Sequence, residues 1–160
     1  MKKLILLLLF IPLVSFGQTY KDLMSINDLD SFKKVMIENR YQYDSIDDDK
    51  GYVVYGYEIE RDSIEGNKSS RWASYNTEDE SWGVQYSAST DNILLDYGIY
   101  DSITETIMDE CGYSKIKNRN GIDYATYNCQ ESKFDGTIGF VIHNGTAYIR
   151  HFPSEMQVLR

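Results

Sequence analysis

Between residues 101 and 153 the hydrophobic positions change period once, and the change separates one helix from three strands. Ile103, Ile107 and Cys111 recur at i, i+4 and i+8, which gathers them on one helical face. Ser102-Ile103-Thr104-Glu105 reads as a capping box at the start of that helix, and Gly112 supplies a residue able to take the left-handed turn at its end. After Asn120-Gly121 the period becomes two, which predicts strands over 122–131, 137–143 and 146–152. Asn144-Gly145 is a type I′ hairpin signal, because that turn needs positive φ at both central residues. The turn sets a register: His143 opposite Thr146, Ile142 opposite Ala147, Val141 opposite Tyr148, Phe140 opposite Ile149 and Gly139 opposite Arg150. Opposed residues share a face, so Ile138, Phe140, Ile142, Ala147 and Ile149 are assigned to a helix-packed core. Val141, Tyr148, Arg150 and Phe152 fall on the other face.

A looser copy of the same order runs over 27–88. Asn27 or Asp28 can cap a helix carrying Leu29, Phe32 and Met36, and the pattern fades near Asn39. From Gly51, Val53, Tyr55, Tyr57 and Ile59 alternate with Tyr52, Val54, Gly56 and Glu58, a half-buried strand. Polar residues 61–69 contain a Gly66-Asn67 turn, and strands follow over 71–76 and 82–88, whereas 92–100 fits either an extended connection or an early helical turn. Overlaying the halves places Gly51 on Gly121, Tyr57 on Tyr127 and Ile59 on Cys129. The expected fold class is therefore α+β: two tandem helix–three-strand units, an antiparallel sheet, and helices on one face.

Residues 1–17 have a basic start, an apolar run from Leu4 to Val14 too short to span a bilayer comfortably, and small residues before Gln18. They read as a cleaved signal peptide, which leaves 18–160 as a single domain without a transmembrane segment and locates it in the periplasm or outside the cell. The Ser15-Phe16-Gly17-Gln18 ending resembles signal peptides of Bacteroidetes-type Gram-negative bacteria, and no Cys stands at the junction to carry a lipid anchor. Sixteen Lys and Arg face 25 Asp and Glu, a formal charge of −9, and loss of Lys2 and Lys3 with the leader makes it −11. That balance opposes nucleic acid and anionic membranes, whose recognition needs clustered cations. It is compatible with a basic protein partner.

Few residues invite catalysis. Asp44-Ser45-Ile46-Asp47-Asp48-Asp49 suggests calcium but lacks the ligand order of a calcium loop, and a solvated loop is the preferred reading. No metal or cofactor is expected. His143 and His151 lie at opposite ends of the predicted ribbon, and no metalloprotease, nucleophile-elbow or phosphate-loop motif occurs. Acidic pairs such as Asp109-Glu110 are too common to define a glycosidase, so the chain is expected not to be an enzyme, a carboxylate or histidine hydrolase being the lesser alternative. Cys111 and Cys129 both point toward the interior, either as two buried thiols or as a disulfide, and export favours the disulfide.

The aromatic load is the remaining signal: 14 Tyr, 6 Phe and 2 Trp. Tyr55, Tyr57, Phe140, Trp82 and Tyr86 belong to the core by periodicity. Tyr52, Trp72, Tyr124, Tyr148, Arg150 and Phe152, joined by Val54, fall on the face the helices leave bare, and these are residue types that dominate binding hot spots. Either that face is an interaction surface or a second sheet or second copy of the chain covers it. The order of elements is similar to the tandem-repeat β-lactamase inhibitory protein architecture, and the resemblance implies a concave aromatic sheet that grips a protein. The expected function is an exported binding protein holding an envelope or extracellular protein, with a glycan-binding module as the alternative, since sugars also stack on Tyr and Trp.

Overall fold

The computed structural model describes residues 17–47, 49–87, 93–130 and 132–154. Eight strands form one fully antiparallel sheet: β1 (Tyr41–Asp47), β2 (Tyr52–Tyr57), β3 (Arg71–Asn76), β4 (Trp82–Ser87), β5 (Gly112–Arg119), β6 (Ile122–Asn128), β7 (Gly136–His143) and β8 (Thr146–Pro153). Three helices accompany it: α1 (Tyr20–Met24), α2 (Leu29–Glu38) and α3 (Ile93–Glu110). The strand order is β1-β2-β3-β4-β8-β7-β6-β5, so each half supplies four consecutive strands and the halves meet where β4 pairs with β8.

This corrects the expected α+β fold of helix–three-strand units: the protein is mainly β, with four strands in each half. The two strands that the pattern missed, β1 and β5, are the sheet edges. An edge strand packs little, so its polar residues need not alternate, and each of these also carries a register shift, between Tyr43 and Ser45 and between Tyr113 and Ile116. The acidic stretch read as a solvated loop is β1 as far as Asp47, and Asp48 lies outside the described residues.

The second helix also differs from expectation. It begins at Ile93, nine residues before Ser102, which therefore lies inside the helix and receives the Thr106 hydroxyl on its carbonyl at 2.8 Å. Gly112 opens β5 instead of capping α3. The buried stripe is as expected, with Ile103, Ile107 and Cys111 joined by Tyr100 one turn earlier. In the first half Asp28 caps α2, its carboxylate accepting from the Ser31 amide at 2.7 Å, while α1, capped by Thr19, was not foreseen.

All three helices serve one face of the sheet. Phe32 of α2 packs on Tyr55 and Tyr75, and Tyr100 of α3 on Tyr86 and Phe140. Burial there pushes the Tyr75 phenol up to about 12. Both Asn-Gly turns adopt positive φ at each residue, at Asn120-Gly121 and at Asn144-Gly145, and the β7–β8 register is the expected one from His143–Thr146 through Gly139–Arg150. Ile138, Ala147 and Ile149 are fully buried as assigned, but Ile142 is exposed near the turn. Trp82, Tyr86 and Tyr55 are core residues. Tyr57 is half-buried under the Arg71 guanidinium, which stands 3.4 Å from its ring centre.

Alternation fails at Ile59. Glu58 takes a positive φ of 47°, ending β2, and Ile59 folds back to the opposite face, where it and Trp72 crowd over Gly56. The equivalence of Ile59 with buried Cys129 is thereby lost. Cys111 and Cys129 form a disulfide, with Cα atoms 4.5 Å apart, tying the end of α3 to the end of β6. Among the described residues no helix is long and apolar enough to cross a membrane. Of the predicted leader, residues 1–17, all but Gly17 lie outside the described residues, as do Ala88, Asn92 and Glu131 at the ends of predicted segments.

Candidate binding surface

The face opposite the helices is strongly concave. Asp79, in the β3–β4 turn, and Arg119, at the end of β5, belong to strands four spacings apart, about 19 Å in a flat sheet. Here Arg119 Nη2 donates to Asp79 Oδ2 at 3.0 Å. The sheet has curled until its far hairpin touches its near one. Because both side chains are about a third or more exposed (32% and 40%), the pair contributes at most about 1 kcal/mol. Its role is to place the β5–β6 turn over the hollow. Asn76 and Arg119 stand beside the Tyr52 hydroxyl and hold it below the usual phenol range.

Inside the curve the strands bring glycines under large cross-strand side chains. Trp72 with Ile59 roofs Gly56, the Arg150 guanidinium lies over Gly83, and Phe152 with Tyr124 covers Gly139. At Gly56 and Gly139 a Cβ would collide with these neighbours, so its absence lets the side chains lie close on the backbone. The result is a cavity of about 370 Å³ bounded by Val54, Trp72, Gln85, Tyr124, Tyr148 and Arg150 from the sheet and by Arg119, Asn120 and Ile122 from the β5–β6 hairpin.

All six residues singled out by alternation lie on this face, but not equivalently. Trp72, Tyr148 and Arg150 are half-buried and line the cavity, and Tyr124 lines it while only 3% exposed. Tyr52 sits outside the lining, held in the Asp79–Arg119 clasp. Phe152, 7% exposed, is packed away against Tyr124 with ring centres 5.3 Å apart, and Lys117 stands over it. The residues that sequence reasoning missed are Arg119, Asn120, Ile122 and Gln85. Asn120-Gly121 flanked by short alternating runs was the available hairpin signal for the first three.

Arg150 is unusual among them. No hydrogen bond or ion pair engages its guanidinium among the described residues, and Nη1 is shut off from solvent without an acceptor. An unpaired buried donor costs on the order of 1–3 kcal/mol, and more when charged.

A second cavity, of about 690 Å³, lies at the end of the core and is bounded partly by Glu80, Trp82, Lys133, Phe134, Asp135 and His151. His151 is 4% exposed between Trp82 and Phe134, ring centres 5.6 and 4.6 Å away, and it donates from Nε2 to the Asp135 carbonyl at 2.8 Å. Burial holds its pKa below the ordinary 6.5, against the opposing pull of the Asp135 and Glu80 carbonyls, and Lys117 lowers it further. The unfolded chain thus takes up a proton near pH 6.5 and the folded chain only below it, so the His151 contribution is full above about 6.5 and is lost as pH falls through the folded value. The urea midpoint is expected to drop between pH 7.5 and 5.5, and by much less in His151→Gln. Equal drops in both proteins would remove His151 as the cause.

His143 is exposed at the β7–β8 turn, its parity placing it on the concave face, while His151 is on the core face. The two imidazoles cannot meet. Among the described residues no group of three or more His, Cys, Asp or Glu is placed to hold a metal ion. No family model, curated protein or solved structure matches this chain.

Proposed function

We propose that this chain is an exported, non-enzymatic binding protein that holds a protein partner against the concave face of its sheet. The observation that carries the proposal is the gathering of Trp72, Tyr148 and Arg150, all half-buried, around one hollow on the side opposite the helices. Tyr, Trp and Arg provide large contact area at low entropic cost, and half-burial in the free protein means that they are already ordered before a partner arrives. The leader-like residues 1–17 and the Cys111–Cys129 disulfide support export, because disulfides persist in oxidising compartments.

The test is quantitative capture from envelope extract on immobilised wild-type protein, Trp72→Ala and Tyr148→Ala, followed by binding measurements on the purified pair. One protein is expected to bind the wild type and to lose at least tenfold in affinity with each substitution, while circular dichroism shows all three proteins folded. Retention of full affinity by both variants would rule out the concave face. Glycan-array binding that depends on Trp72 would transfer the same surface to sugar recognition.

A further inference from the structure

We propose that the hollow is a carboxylate-recognition pocket, in which Arg150 receives an aspartate or glutamate side chain projected from a loop of the protein partner; this rests on the reading of the concave face given above. The local charge runs against that of the molecule. The chain carries 25 acids against 16 bases, yet among the described residues the cavity is bounded by two arginines and by no Asp or Glu. Only one of the two arginines is paired with an acid, Arg119 with Asp79 at the rim.

The two arginines do different things. Arg119 is committed to Asp79 at 3.0 Å, which neutralises it and fixes the rim. Arg150 has no ion pair or hydrogen bond among the described residues, and its Nη1 lacks any acceptor. A guanidinium offers a planar fork that matches a carboxylate, and Arg150, half-buried in the wall of the cavity, presents the part of that fork that faces the hollow to an incoming Asp or Glu. The rings of Trp72, Tyr124 and Tyr148 surround it with apolar surface, where such a pair is stronger than in water. About 370 Å³ accommodates one or two side chains and not a folded element, which points to a loop. A phosphate dianion fits less well, because it calls for a second uncommitted cation and Arg119 is already paired.

The experiment titrates isotope-labelled protein with the capped tripeptide Tyr-Glu-Tyr, its neutral counterpart Tyr-Gln-Tyr, and inorganic phosphate, observing the Trp72 indole N–H and the Arg150 Nε–H. Saturable shifts are expected with the acidic peptide, with at least tenfold weaker binding of the neutral one. Arg150→Gln should abolish that preference, and Arg150→Lys should restore part of it. Since no hydrogen bond or ion pair engages the Arg150 guanidinium among the described residues, Arg150→Gln should melt no lower than the wild type; a large fall would make Arg150 a structural residue and overturn the proposal. Equal shifts with both peptides, or competition by phosphate at equal concentration, would overturn carboxylate selectivity while leaving the binding face intact. No shift with either peptide would overturn the pocket assignment, and partner capture with Trp72→Ala would then decide separately on the face.

Discussion

Phe32→Ala is expected to lower the free energy of unfolding by about 3–5 kcal/mol, read as a fall in the urea midpoint with little change in slope. Phe32 is fully buried, and its ring meets Tyr55 edge-on at 5.9 Å and Tyr75 at 5.4 Å. It is the anchor that docks α2 on the first half of the sheet. Truncation leaves a ring-sized void between a helix and two strands whose hydrogen bonds hold them in place, so collapse cannot fill it. Stability of a domain this size is typically about 5–15 kcal/mol, and the variant should therefore unfold detectably at body temperature. A change under 1 kcal/mol would mean that α2 is not held to the sheet through this contact.

Replacing both cysteines by alanine is expected to cost about 3 kcal/mol, the value for a closed loop of this length. The bond spans a sequence separation of 18 and closes β5 and β6 into one loop. Its effect acts chiefly on the unfolded chain, which opens further once released, so the denaturant slope should rise as the midpoint falls. Reductant should bring the wild type to the same midpoint. Identical unfolding curves with and without reductant would show that the bond contributes nothing.

Both predictions rest on features legible in the sequence. Phe32 and Met36 stand at helical spacing behind Asp28, and Cys111 follows Ile103 and Ile107 on the buried side of its helix. Burial of one face writes a period into a strand or helix, which is why β2, β3, β4 and β6 to β8 could be read. The edges β1 and β5 escaped because an unpacked strand has no face to keep apolar, and their register shifts break what alternation remains. The candidate surface was legible as a set of residues sharing a face, since parity along a strand decides that.

Parity says nothing about curvature, however. That Tyr124 and Phe152 turn down onto Gly139 while Trp72 and Tyr148 stay at the rim follows from the curl of the sheet, as does the arrival of Arg119 at Asp79. The Arg119–Asp79 contact joins residues 40 positions apart across four strand pairings, and no local pattern encodes it. By itself, then, the sequence determined which side chains most strands turn to which side and the Asn144-Gly145 register, because these depend on period and turn chemistry over a few residues, and it left the cysteines open between a bond and two buried thiols. Only the tertiary structure decided that the described residues form eight strands, that the bare face is hollow, and that Arg150 lines the hollow, because these depend on how the two halves close around a shared core.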